Sequence, residues 1–299
     1  IFLWSTVGIF LLMVIVTSVI YFLAKKQKPV TGTIENTQNV QGQIWSGEIS
    51  IDHDVNILGD LTIEAGTIIT LAAHKDTSGK SSFMTIEADG FNNDDPTRLE
   101  AYTKQHVSIN IFGKVLALGT KEQPIIFRSD AAEPGYADWV GLVIGGDDSG
   151  LDYGRLGNAR HGIAFTGKNQ EIRNSVVDST LWGCISGGKG EVYIHDNVVK
   201  NCGHEGIDNQ QGGSLRVENN IVENSHSAIV IHERNKPMII KNNRLPRKVD
   251  FAPEDDAGLY PLLIMENNTI DETLVCTHDW TYENYVIPCN DNNGAPYVK

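Results

Sequence analysis

IRNSVVD (172–178), IHDNVVK (194–200), VENNIVE (217–223), IKNNRL (240–245) and MENNTID (265–271) are five versions of one phrase. Their first residues, Ile172, Ile194, Val217, Ile240 and Met265, are spaced 22, 23, 23 and 25 residues apart. A second register runs between them, in HGIAF, GCIS, EGID and SAIVI. There Ile163, Ile185, Ile207 and Ile229 recur every 22 residues. Each apolar run is short, rich in Val and Ile, and bounded by Gly, Asn or Asp, which is the pattern of strands separated by tight corners. Helical repeats need longer amphipathic stretches than these.

A period near 22 with two or three strands per turn predicts an all-β fold, a right-handed parallel β-helix. Each coil then stacks on the last at ~4.8 Å. Equivalent residues fall into columns, with Ile and Val filling the interior. Ser175, Asn197, Asn220, Asn243 and Asn268 form a corner column, and Asn174, Asp196, Asn219, Asn242 and Asn267 form its neighbour. Stacked amides can bond from coil to coil, so these columns read as structural ladders.

Upstream, VNILGDLTIEAGTIITL (55–71), VSINIFGKVLALGTKEQPIIF (107–127) and DWVGLVIGG (138–146) continue the same texture with larger insertions. These phrases resemble the opening coils of right-handed β-helix repeat proteins from microbial surfaces, and the stack is expected to begin at Val55. The resemblance extends over residues 44–275. Two excursions leave the coil. Residues 73–106 include Asp95, Pro96 and Thr97, a helix-start signature, and residues 246–260 carry FAPEDDAG. Residues 29–43 are polar and read as a linker. Residues 276–299 read as the cap on the C-terminal end, where an open strand edge would invite aggregation.

The chain opens on IFLWSTVGIFLLMVIVTSVIYFLA (1–24), which carries no charge and only Ser5, Thr6, Thr17 and Ser18 as polar members. A helix of that length spans a hydrocarbon core of ~30 Å. No small-x-small cleavage site follows it, since Lys25, Lys26 and Lys28 come next. Residues 1–28 therefore read as a hydrophobic helix, with two roles open. One is a single-pass membrane anchor. The other follows from a resemblance of the segment to type IV pilins, whose processed subunits begin on the apolar helix and pack it into a filament core. Ser5 departs from that pattern, because bacterial pilins usually carry Glu there. Pro29 also ends the helix early for a pilin stem.

The rest of the chain is acidic. Beyond residue 28 it holds 21 Lys and Arg against 38 Asp and Glu. That balance argues against nucleic acid and anionic lipid as partners. The four cysteines form no CxxC arrangement, which argues against cysteine-rich zinc and c-type haem sites. An even count permits two disulfides outside the cytoplasm. Cys276 and Cys289 flank a Trp/Tyr-rich loop and suit a terminal staple. Cys184 and Cys202 are either a second disulfide or two buried thiols.

Counting by strict alternation from Ile207 and Ile229 sorts the remaining chemistry. Arg160, Trp182, His204 and His226 make an outward row on successive coils, with Asp208 and His232 on the same side. An aromatic ring, a guanidinium and imidazoles on a flat sheet face suit a sugar. His204 and His226 with Asp208 could instead share a metal ion. The plain alternative is a packed face on which the rings simply stack. Glu205 has inward parity and is expected in a turn.

Right-handed β-helices also resemble pectate lyases, polygalacturonases and alginate epimerases, but no catalytic string of those families is intact. GHEG at Gly203 matches a hydrolase GHG signature only in part. The pairs Asp94-Asp95, Asp147-Asp148 and Asp255-Asp256 have no partner motif. No catalytic residue and no required cofactor is assigned, and an enzyme is disfavoured. Asn267-Asn268-Thr269 is an N-glycosylation sequon. The sequence thus points to a structural cell-surface protein, membrane-inserted before assembly. Its first reading is a pilin-like filament subunit self-associating through its N-terminal helix. The second is an anchored β-helix protein that binds or modifies surface polysaccharide.

Overall fold

A computed structural model of the chain describes residues 30–33, 42–75, 102, 104–209, 213–232, 236–251, 263–282, 285–289 and 297–298. Most of these wind into one parallel β-helix, and every pairing within its sheet is parallel. Three stacks of strands form its sides. The first runs from Gln43–Ile51 through Leu61–Ile63, Val115–Leu118 and Gly150–Asp152 to Gln170–Arg173, Glu191–His195, Ser214–Glu218, Met238–Lys241 and Leu263–Glu266. The second takes the far half of Gln43–Ile51, then Ile68–Leu71, Ile125–Ser129, Gly154–Gly157, Val176–Thr180, Val198–Asp208 and Ile221–Ile231. The third includes Ser108–Ile111, Gly141–Ile144, Ile163–Phe165 and Ile185–Gly187, then the ends of the two long strands.

The two sequence registers are structural registers. Ile172 pairs with Ile194, Ile194 with Val217, Val217 with Ile240 and Ile240 with Met265. Ile163, Ile185, Ile207 and Ile229 align in the same way on another side. All except Met265 are buried in a single apolar core running the length of the coil. Each contributes roughly 1.5–3 kcal/mol by leaving water. Met265, expected inside, is 44 % exposed, as is Ile270, because both belong to the last coil described.

The corners explain the asparagines. Tyr153, Asn174, Asp196, Asn219, Asn242 and Asn267 all have left-handed backbone, with φ between 50° and 58°. Asn and Asp tolerate that region better than other side chains with a Cβ. The adjacent column supplies the bonds. The backbone N–H groups of Ser175, Asn197, Asn220 and Asn243 donate to Oδ1 of Asn197, Asn220, Asn243 and Asn268 in the next coil, at 2.9–3.0 Å. The Asn197, Asn220 and Asn243 amides also donate back to the carbonyls of Ile172, Ile194 and Val217. Asn267, the sequon residue, is exposed in the left-handed column, while Asn268 completes the ladder.

Several expectations are corrected. The stack begins before Val55, because Gln43–Ile51 already pairs with the strands of the next coil. Val30–Thr33, inside the stretch read as linker, forms a strand parallel to Gln43–Ile51. Asp250–Phe251, inside the second excursion, pairs back onto Ile221–Ile231. Cys184 and Cys202 are a disulfide and not free thiols. Glu205 lies within the strand Val198–Asp208 and not in a turn. Cys276 and Cys289 are joined as expected, beside a small antiparallel sheet of Trp280–Tyr282, Tyr285–Ile287 and Tyr297–Val298. The apolar helix of residues 1–28 and the helix start at Asp95 lie outside the described residues. Among the described residues no helix is long and apolar enough to cross a membrane.

Candidate functional site

Strict alternation fails at one place, and the failure builds the site. Cys184 and Ile185, adjacent in the chain, both lie in the core, and so do Ala228 and Ile229 two coils on. Two consecutive inward residues carry the chain across a bend between the second and third sides. The register shifts between Cys202 and Glu205 at the same point. Glu205 and Asp208, on either side of Gly206-Ile207, therefore reach the same outer face. The Cys184–Cys202 disulfide, fully buried behind them, ties the two coils together.

The row Arg160, Trp182, His204 and His226 exists as a column, but it is not an open face. Trp182 stacks on His204 with ring centroids 4.2 Å apart and planes 8° from parallel, and His226 follows at 5.8 Å. Arg160 is fully buried, and Trp182 and His226 nearly so. The cover is the C-terminal segment. Trp280, Ile287, Cys276 and Cys289 pack with Leu181, Trp182, Tyr102, Ala137 and Val140 in a second apolar cluster. Polar contacts fix this cap: the Tyr136 hydroxyl lies 2.7 Å from His278 Nε2, and the Thr277 N–H donates to Asn224 Oδ1 at 3.0 Å. Trp182, the aromatic member of the row, is thus packed under the cap, while His204 keeps part of its ring exposed. The rings expected to form a flat sugar platform are stacked on one another.

Beside this column the donors that converge are Glu205, Asp208 and His232. One oxygen of each carboxylate and one ring nitrogen all lie within 4.8 Å of one another. Asp208 and His232 were singled out by the sequence. Glu205 was set aside by parity, and only the paired inward residues bring it round. His204, expected as a ligand, instead contacts Glu205 Oε1 through Nδ1. His226 stacks beyond it.

Glu205 and Asp208 are almost wholly buried, and His232 is half-buried at the rim. The His232 backbone N–H donates to Asn209 Oδ1 at 2.7 Å, and the Asn209 amide donates to the Gly213 carbonyl at 3.2 Å, which fixes the strand end that carries the imidazole. Glu205 Oε2 and His232 Nε2 are buried with no hydrogen-bond partner among the described residues. Burial alone would raise the Glu205 carboxyl, but His204 and, more weakly, His232 outweigh it and hold the group below its ordinary value. Glu205 is therefore an anion in a site closed to bulk water.

His161 stands two coils before Glu205 in the same column, with Gly183 between them. Neither of its ring nitrogens has a partner among the described residues. Burial first, then Arg160 and His204, press its pKa well below the usual value, so the ring is neutral. Buried polar atoms in native proteins are normally paired. Three residues with orphaned atoms on neighbouring coils, His161, Glu205 and His232, mark a place built to meet something other than the chain itself.

A family model described as periplasmic copper-binding protein (NosD) matches residues 141–272, less than half of the chain. His161, Glu205, Asp208 and His232 all fall inside that stretch. No curated protein and no solved structure matches. Two carboxylates and an imidazole, two of them with unpartnered buried atoms, fit a divalent transition metal, including copper in its divalent state. They do not fit copper(I), which prefers thiolate or thioether. Both cysteine pairs are oxidised, and Met238 is buried in the apolar core.

Proposed function

We propose that this protein works outside the cytoplasm, in the cell envelope or at its surface, as a β-helix scaffold holding a divalent metal ion between Glu205, Asp208 and His232. The observation that carries this reading is the convergence of the three donors with Glu205 Oε2 and His232 Nε2 left unpaired in a buried site. The location is supported by two disulfides, which persist in oxidising compartments, and by the periplasmic description of the matched family.

The ion, once bound, would supply fixed positive charge and Lewis acidity. The chain's own residues do the rest. Glu205 and Asp208 provide carboxylate oxygens, His232 a ring nitrogen, and Asn209 fixes the strand end that carries the imidazole. His204 balances the Glu205 charge from the opposite side. The cap around Trp280 keeps bulk water off the adjoining ring column. Filament assembly and polysaccharide binding draw no support from the described residues or from the family match. The first rests on residues 1–28 alone, and the second on a face whose Trp182 is packed against the cap.

Titration calorimetry of the full chain with Cu2+ and with Zn2+ tests the proposal. The expected result is one saturable site per chain, lost when Asp208→Asn and His232→Gln are combined. Absence of saturable binding, or equal binding by the double variant, would sink it.

A further inference from the structure

Gly183 faces the metal donors from the preceding coil, and nothing in its backbone calls for glycine. Its φ lies outside the left-handed region, unlike that of Gly141 or Gly66. A Cβ built there meets no backbone. Its three nearest atoms are Glu205 Oε2 at 3.5 Å, Ser186 Oγ at 3.6 Å and Asp208 Oδ2 at 3.7 Å, all ordinary contacts. Gly162, one coil earlier and one column over, differs sharply: its Cβ would lie 2.2 Å from the Cys184 carbonyl oxygen. Gly162 is demanded by packing. Gly183 keeps a small space open, and the walls of that space are three oxygens, two of them from the proposed metal ligands.

Three protein donors leave at least one coordination position free on a divalent transition metal, the arrangement of sites that hold a replaceable ligand. The space over Gly183 is where that position can point. Ser186 Oγ offers a hydrogen bond to whatever fills it. His161, neutral and with both nitrogens unpartnered among the described residues, occupies the same column on the far side. Gly183, Ser186, Glu205 and Asp208 are all buried, which limits the guest to a few atoms.

Resting on the metal reading above, we propose that the gap over Gly183 is a subsite for a small exchangeable metal ligand, water at rest and a small anion in exchange. Gly183 holds the subsite open and Ser186 bonds its occupant. The site is then an open metal centre and not a closed structural one.

The test uses the full chain loaded with Co2+, whose visible spectrum reports its ligands, and azide as the anion. The wild type is expected to bind Co2+ and to change its spectrum saturably with azide. Gly183→Ala should keep Co2+ affinity within about threefold yet weaken the azide response by about tenfold or more, because the added methyl takes the guest's place. Ser186→Ala should weaken azide by about threefold, the loss of one hydrogen bond. A Co2+-loaded wild type indifferent to azide, or a Gly183→Ala variant answering azide like the wild type, overturns the subsite and leaves the metal reading intact. Failure of the wild type to bind Co2+ overturns both.

Discussion

The asparagine corner and the Glu205 pocket sit on the same coils and are both polar and buried, yet they are built in opposite ways. At the corner, the Asn220 side chain accepts from the Asn197 N–H and donates to the Ile194 carbonyl and to Asn243. In the pocket, Glu205 has one oxygen on His204 and one with no partner, and His232 has a nitrogen with none, among the described residues. A satisfied polar group stabilises the fold. An orphaned one costs free energy that only a ligand or a function recovers. Between these two places, what separates scaffold from site is whether the hydrogen bonds close.

The largest effect expected from that contrast is at the corner. Asn220→Ala strands the Asn197 N–H and the Ile194 carbonyl, each worth ~1–3 kcal/mol when buried and unpaired. Urea unfolding should show a loss of about 4 kcal/mol. A loss under about 1 kcal/mol would mean the ladder is decorative. Next comes the clamp behind the pocket. Replacing Cys184 and Cys202 together by Ala should cost about 3 kcal/mol, from the 18-residue separation that the disulfide closes. Metal affinity should fall with it, because the coil carrying Glu205 is no longer tied to the coil carrying Gly183.

Buried imidazoles give a pH signature of similar or smaller size. His106 is pushed down to about 4, chiefly by burial and also by His74, against a bond from its own ring to the Tyr102 carbonyl that raises it. His161 is lowered as well. A depressed imidazole leaves the folded state without a proton that the unfolded state takes up below about 6.5, so stability is full above that pH. It is then lost as pH falls toward 4, by up to about 3 kcal/mol for His106. Unfolding curves collected from pH 7.5 to 4.5 should show the decline, and His106→Gln should flatten it. A flat profile in the wild type would contradict the buried neutral state. The smallest effect is at Gly183, where Ala should leave stability unchanged or raise it by up to about 1 kcal/mol, through the stiffer unfolded chain. A drop of several kcal/mol in thermal unfolding would show that packing, and not a ligand, dictates glycine there.

Much of this was readable from the sequence because stacking makes distant residues equivalent. Ile172, Ile194 and Val217 declare the rung, and Asn197 and Asn220 declare the corner, since each must repeat wherever the coil repeats. The Cys276–Cys289 staple was legible from its aromatic loop. The site was half legible. Asp208 and His232 followed from alternation, whereas Glu205 did not, because Gly206 and Ile207 both turn inward and leave Glu205 outside beside His204. The Gly-Ile and Ala-Ile pairs at 206–207 and 228–229 are the signal that would have exposed the bend, small residue before large at the same rung. The burial of Arg160, Trp182 and His226 was not legible either. For Trp182 it depends on where the C-terminal cap docks, and no repeat encodes that.

Anomalous diffraction from crystals of the full chain grown with Zn2+ puts the account to its most direct trial. It predicts a single strong peak within bonding distance of Glu205 Oε2, an Asp208 carboxylate oxygen and His232 Nε2, with a further oxygen toward Gly183. Density confined to His204 and His226, or an empty gap among the two acids and His232 in metal-soaked crystals, would contradict it.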